Sequence, residues 1–457
     1  MAEVPLGINA RKRQTTWSPQ IKVVNLLAEK SETNQINGID HIQRPGLVLF
    51  AEAGDGPIRF VFRQAGTFLG DFLVISGGEL YRVTEGGSET FIGAFAGAEP
   101  VTMAASATRA IWDSDGQGLS TNGTTLNSII MPDARLVGSV AHLNGYFLLS
   151  EKNSARFYWI EPGQTDPDGL SFATTESTPG FIVKIERVGD ELWFFKEEGI
   201  EVWVPTGDAD LPFQRVPGRN YDRGCRSRNT VCRFDNSVAW VGNDGLVYRG
   251  DSSPVRISDH SLEEQIRKSL PVSLRAWTFD FDGHRLYCLT LGSGTYVYDV
   301  SSQAWSEFSS YNRNVWRCQV GDMGATFVVA GDDELPLLYR LDPQVSNDNG
   351  EVMVRQLTGG VPVRGPAVRC DNIDLYATTG TEVDPNVTPH IRLSWSDDLY
   401  TFGDWVDVSL RKQGHYSEPI RVNRLGRMAR PGRLFELTVT DDIVVTISAL
   451  LVNEPSR

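Results

Sequence analysis

Several groupings in the sequence have the residue types from which sites are built, and their spacing decides what each could do. Six histidines (41, 142, 260, 284, 390 and 415) lie scattered, none at a metal-ligand interval such as HExxH. WDSDGQG at 112–118 places Asp113 and Asp115 ahead of Gly116, like the start of a calcium loop, but Ser120 to Leu126 holds no acid to complete one. A polar turn fits that stretch better. The adjacent carboxylates Glu197-Glu198 and Asp332-Asp333 are expected at solvated hairpin tips. Glycoside hydrolysis needs two opposed carboxylates, and nothing singles out a pair. No G-x-S-x-G elbow or Walker A loop is present. The sequence thus nominates no catalytic, cofactor-binding or metal-binding residue.

One charged grouping stands apart. From Arg411 to Arg433 there are seven basic residues and a single acid, Glu418. Arg421, Arg424, Arg427, Arg430 and Arg433 recur every third residue, with Val422, Leu425 and Met428 between them. One reading is a solvated, twisting strand and loop. The other is a basic stripe that meets an acidic neighbouring chain or DNA, with Arg424, Arg427 and Arg430 as candidate interface residues. The whole chain carries 43 basic and 58 acidic side chains, a formal charge of −15. A local +6 is therefore an outlier, and copies of so acidic a chain repel unless opposite charges meet at their contacts. The same total argues against gripping nucleic acid through a general surface field, because phosphate binding needs net positive charge at the contact.

The elements that must position these residues are strands. In 457 residues, 40% are hydrophobic and 10% aromatic, ample for a packed core. The most apolar run, Ile443 to Val452, is about half of a membrane span, and the first residues lack the apolar core of a signal peptide. Five cysteines (225, 232, 288, 318 and 370), odd in number and without CxxC spacing, point to reduced thiols in an intracellular product.

Hairpins recur along the chain. HLNGYFLLSEKNSARFYW (142–159), RVGDELWFFKEEGIEVWV (187–204), RFDNSVAWVGNDGLVYRG (233–250) and DFDGHRLYCLTLGSGTYVYDV (280–300) each pair a turn with two aromatic or β-branched runs. Their turn pairs, Asn144-Gly145, Gly189-Asp190, Asp235-Asn236 and Asp282-Gly283, are spaced 45, 46 and 47 residues apart. Similar stretches begin at Gly70, near 107 and at Gly321. A hairpin pair with this period predicts an all-β fold, a β-propeller of about seven blades. One amphipathic hairpin cannot bury its aromatic face alone, whereas radial stacking buries each face on a neighbour. QRPGLVLFAE is expected to lead into the first blade. SDHSLEEQIRKSL (258–270) predicts one helix packed on the rim, with a capping box at Ser261 and Glu264 and a face of Leu262, Ile266 and Leu270.

Three parts are expected: residues 1–54 as an N-terminal arm and lead-in strand, 55–345 as the propeller, and 346–457 as a sandwich-like all-β module after the Gly/Asn/Asp-rich link SNDNGE. Within the last, SDDLYTF at 396–402 looks like a degenerate Asp-box, the hairpin of sialidases, with Leu399 where glycine is usual. That motif folds a turn and is not catalytic.

Three stretches in order resemble a known family: VVNLLAEK followed by QRPGLVLF near the start, NYDRGCRSRNTVCRFDNSVAWVGNDGLVYRGDSSPVRISDHSLEEQI (220–266), and LSWSDDLYTFGDW with GHYSEPIRVNRLGRMARPGRLFELTVTD in the tail. They are similar to the packaged-DNA stabilisation proteins, or tail hub proteins, of short-tailed bacteriophages. The resemblance implies a structural, non-enzymatic virion tail protein, assembled in the bacterial host cytoplasm. It implies a homo-oligomeric ring, a hexamer, below the portal and its adaptor. Such a ring helps close the channel and hold the tail needle and the spikes or fibres. It would enclose genomic DNA without reading its sequence, and an acidic lumen would repel phosphate at close range. It needs no cofactor and no membrane-spanning segment. The alternative is a polysaccharide-binding or polysaccharide-degrading propeller.

Overall fold

The computed structural model describes residues 2–12, 18–31, 38–250, 253–378, 388–410 and 419–452. Its local structure follows from the turn pairs. Asn144-Gly145, Asp235-Asn236 and Asp282-Gly283 hold positive φ at both positions (51° and 87°, 49° and 57°, 45° and 85°). That backbone matches the twist of two antiparallel strands joined tightly. The pairs join Val137–Leu143 to Tyr146–Glu151, Cys232–Phe234 to Ser237–Val241, and Arg275–Phe281 to His284–Leu291. Gly189-Asp190 does the same for Ile182–Val188 and Glu191–Lys196, and Gly70 lies in the longer connection between Ile58–Phe62 and Phe72–Ser76. Gly321 departs from the expected turn. It lies inside the strand Cys318–Met323, where an added Cβ would stand 2.5 Å from the Trp277 ring. A close packing contact there imitates a turn signal.

Each of these turns links the first two strands of a four-stranded antiparallel unit. Seven such units follow one another among the described residues. Six use consecutive strands. The seventh takes its outer strand from near the N-terminus, where Gly46–Glu52 pairs with Leu337–Asp342. The segment expected to lead into the first blade therefore closes the last one.

Packing between units explains the sequence LWFF at 192–195. Side chains alternate across a strand, and both faces of this one are buried. Phe194 packs on Phe157 of the preceding unit, with ring centroids 4.6 Å apart, and Phe195 on Trp240 of the following unit at 5.3 Å. Every junction has its own apolar cluster. The last, with Val61, Phe72 and Val74 against Val329 and Leu338, joins the seventh unit to the first. The ring is a closed β-propeller, and closure lets each described unit pack apolar side chains on both of its neighbours.

The ends of the chain pair with each other. Val23–Val24 bridges the outer strand of the sixth unit, Ala304–Phe308, to Arg355–Pro362, which continues into Gly432–Val439, His390–Ser396 and Val406–Ser409. A second sheet combines Leu26–Lys30 and Ile39–Gln43 with Thr446–Val452, Asn372–Ala377 and Ile420–Asn423. One core holds the two sheets together, with Val4, Leu6 and Val23 beside Leu357, Ile391 and Leu437. The described strands of the N-terminal part thus pair with both later parts of the chain. Gly46–Glu52 completes the last propeller unit, and Val23–Val24, Leu26–Lys30 and Ile39–Gln43 join the sheets of the C-terminal sandwich.

The predicted helix runs from His260 to Lys268 and buries Leu262 and Ile266 against the fifth and sixth units. Two details differ from expectation. The cap is Asp259, which accepts the Leu262 N–H at 2.8 Å, so the helix begins too early for a Ser261 capping box. Ser261 instead accepts the Lys12 N–H at 3.0 Å. Leu270 lies past the helix end and is 69% exposed.

Candidate functional site in the central funnel

The innermost strand of every unit turns one edge to the propeller axis. Together they line a funnel of about 240 Å³, with residues from all seven units. Val61, Val101, Ala105 and Val231 form its apolar wall. Its charged lining comprises Arg59, Lys184, Arg187, Arg228, Arg233 and Arg275 against Glu186 and Asp322. The chain is acidic overall, yet this cavity is basic.

Most of these charges are held by neighbours. Arg228 pairs with the buried Asp113 at 2.8 Å and donates to the carbonyls of Gly138 and Pro100. Lys184 binds Glu186 at 2.9 Å and the Val231 carbonyl at 2.7 Å. Arg187 donates to the Gly189 carbonyl at 2.8 Å. Arg59 donates to the carbonyls of Gly77, Gly97 and Glu99 and has no carboxylate partner among the described residues. Arg275 makes no side-chain hydrogen bond or ion pair among them. Burial pulls both guanidinium groups below their usual range, and Arg275 adds to the effect on Arg59 by like-charge repulsion. Burial likewise pushes the Asp322 carboxyl up to about 6, against the opposing pull of the Arg63 and Met323 N–H groups it accepts at 2.6 and 2.8 Å. His142 lies in the same wall. Burial and Arg187 hold its imidazole below the ordinary value, and its Nε2 has no hydrogen-bond partner.

The basic segment of the C-terminal sandwich divides into anchored and outward-facing arginines. Arg421 forms a two-pronged pair with the buried Asp374, both contacts 2.7 Å, and the buried Arg433 grips Asp397 at 2.6 and 2.9 Å. Leu425 and Met428 enter the sandwich core. Arg424, Arg427 and Arg430 are exposed. Of these, Arg430 donates to the Arg364 carbonyl, 3.0 Å from its Nε. The three-residue repeat is thus a surface strand and loop with apolar residues turned inward. Arg411, Lys412 and Glu418 lie outside the described residues.

The other groupings read from the sequence have structural settings. Asp115 accepts the Ala98 and Glu99 N–H groups, both at 3.0 Å, which makes WDSDGQG a polar turn. Asp398 accepts the N–H groups of Tyr400 and Thr401 at 2.8 and 2.7 Å and the Ser396 hydroxyl, so SDDLYTF is a turn-folding device with Leu399 at φ 69°. Glu197 and Glu198 are exposed at a hairpin tip as expected. Asp332 is not. It is buried and accepts the Tyr339 hydroxyl at 2.9 Å and two backbone N–H groups, while Asp333 takes both prongs of Arg313. Solvation does not explain that pair; the turn and its arginine do. All five cysteines are free thiols. No group of three potential metal ligands occurs among the described residues, and no described helix is long and apolar enough to cross a membrane.

Sequence reasoning missed the funnel because the hairpin alignment starts at the turn pairs. The funnel is lined by the strand before each turn. The signal was present as charged residues in those strands, such as KIER at 184–187 and Arg275 before Ala276-Trp277.

Comparison with known proteins gives a family and distant folds. No curated protein matches the chain. Among solved structures, a streptogramin B lyase is 8% identical at TM-score 0.46, covering 65% of this chain and 98% of that one. The extracellular domain of a putative one-component system, BT4673 from B. thetaiotaomicron, is 10% identical at TM-score 0.46, covering 85% and 60%. The computationally designed Ika8 protein is 12% identical at TM-score 0.41, covering 70% and 99%. These likenesses are too distant to bear on function. The model of a phage-stabilisation family, described as bacteriophage P22 Gp10, β-propeller, matches residues 2–346. Resting on three quarters of its length, that match assigns the chain to this family of phage structural proteins.

Proposed function

We propose that the protein is a tail hub, a ring-forming component that sits below the portal and adaptor. In this reading the ring is a hexamer that helps retain packaged DNA and anchors the tail needle and the spikes or fibres. Family membership over residues 2–346 carries the reading. The architecture suits it. Strands from both chain ends tie the propeller to the sandwich through continuous sheets, which makes a stiff platform for several partners. Arg424, Arg427 and Arg430, exposed on a chain of net charge −15, are the proposed docking residues for an acidic face of a neighbouring subunit or tail protein. The test is native mass measurement and cryo-EM of the purified protein with and without portal and adaptor. A ring that appears with, or binds to, those proteins supports the reading. A monomer that binds neither overturns it.

A second reading, a polysaccharide-binding or polysaccharide-degrading propeller, draws on one observation, the raised carboxyl of Asp322 in the funnel. Against it, both Asp322 oxygens accept backbone N–H groups and Glu186 is tied to Lys184. Neither carboxylate stands free to protonate a leaving group or activate water. Cleavage of host glycan that Asp322→Asn abolishes would restore this reading.

A further inference from the structure

The funnel presents a charge arrangement that the assembly role does not use. Six cationic side chains face two acids, and both acids have partners. Arg59 and Arg275 are the two guanidinium groups of the lining without a carboxylate partner among the described residues. They come from the first and sixth units, are half-buried, and repel one another, and the more distant carboxylates of Asp115 and Asp333 offset only part of what burial costs them. Like charges partly removed from water are costly unless compensated. An anion between them would relieve the repulsion, accept the donors of Arg275, which makes no side-chain hydrogen bond among the described residues, and accept the terminal N–H of Arg59 that no carbonyl takes. The free guanidinium fork of Arg275 matches a pair of oxygens on a tetrahedral oxyanion, which a monovalent halide cannot offer. A cavity of about 240 Å³ admits phosphate or pyrophosphate and not a nucleic-acid duplex.

We propose that the central funnel binds a small polyvalent oxyanion of the phosphate class, held between Arg59 and Arg275. The site lies on the propeller axis, apart from the arginines of the C-terminal sandwich. Its ligand would stabilise the folded ring by binding only where all seven inner strands converge.

The test uses the full-length protein. Calorimetric titration and thermal unfolding are run with inorganic phosphate, pyrophosphate, acetate and a short DNA duplex, each against sodium chloride at matched ionic strength. Pyrophosphate and phosphate should bind, with the unfolding temperature rising by about 3 °C at a hundredfold excess over Kd. Acetate and duplex should give no shift beyond the salt control. Arg275→Gln and Arg59→Gln should each weaken pyrophosphate binding at least tenfold, and Arg275→Lys should recover part of it. Equal responses to acetate and pyrophosphate, binding of the duplex alone, or no phosphate effect on the wild type would overturn the proposal. So would full pyrophosphate affinity in Arg275→Gln. If that variant does not fold, the wild-type comparison of pyrophosphate with acetate still decides.

Discussion

Arg44 and Asp348 form a two-pronged ion pair, 2.7 and 2.9 Å, with both side chains fully buried at 0% exposure. Arg44 also donates to the Asn25 side chain and to the carbonyls of Pro45 and Ser309. One guanidinium therefore joins the N-terminal segment, the sixth propeller unit and the link into the sandwich. Removing one partner leaves a buried charge uncompensated, which typically costs about 3–5 kcal/mol. Arg44→Ala and Asp348→Ala should each lower stability by that order in denaturant titration. Arg44→Met with Asp348→Leu should lose less than either single change, because no lone charge remains. A loss below 1 kcal/mol in both single variants would mean the junction relaxes and hydrates.

This pair also marks where the sequence stopped being legible. The hairpin period was readable because turn chemistry is local: Asn-Gly and Asp-Gly hold the positive φ that tight hairpins require. The pairing of distant ends was not. SNDNGE reads as a polar link, yet Asp348 within it is buried because Arg44, 304 residues earlier, meets it. Gly46–Glu52 reads as a lead-in to the first unit and instead joins the last, since strand partners far apart in sequence leave no local trace. In the candidate sites, the outward turn of Arg424, Arg427 and Arg430 followed from the apolar residues between them. The cationic funnel arises only when seven separate strands converge.

Asp322 should give stability a distinct pH slope. Its carboxyl is raised to about 6 in the folded protein, above the ordinary carboxylate value of about 3.9 in the unfolded chain. Between those values the folded state binds more protons, so this group's contribution falls as pH rises and levels off above about 6. Asp322→Asn should remove that part of the slope. Unfolding free energies of both proteins from pH 4 to 7.5 would show the difference growing with pH up to about 6 and staying level above it. Parallel curves would refute the assignment.

Gly321 is expected to resist any side chain. A Cβ there would lie 2.5 Å from the Trp277 ring and 2.7 Å from the Val329 carbonyl oxygen, in the packed interface of the sixth and seventh units. Gly321→Ala should destabilise by about 1–3 kcal/mol through overpacking. Adding Trp277→Phe should recover part of the loss by making room. Additive losses in the double variant would show that the ring is not the obstruction.

The basic segment of the sandwich offers a separation of folding from assembly. Arg421 and Arg433 are bound to Asp374 and Asp397, so Arg421→Glu or Arg433→Glu should weaken the monomer itself. Arg424, Arg427 and Arg430 are exposed, and changing them leaves Leu425 and Met428 in the core. Reversing these three to Glu should shift the unfolding temperature little, because isolated exposed charges contribute about 0–1 kcal/mol. Docking on an acidic face is another matter, since several charges in register set partner choice and orientation. The triple variant should fail to enter rings or tails, and wild-type assembly should weaken as salt screens the contact. Native mass measurement and incorporation into tails read both effects. Normal assembly of the triple variant at physiological salt would reduce the stripe to a solvated surface.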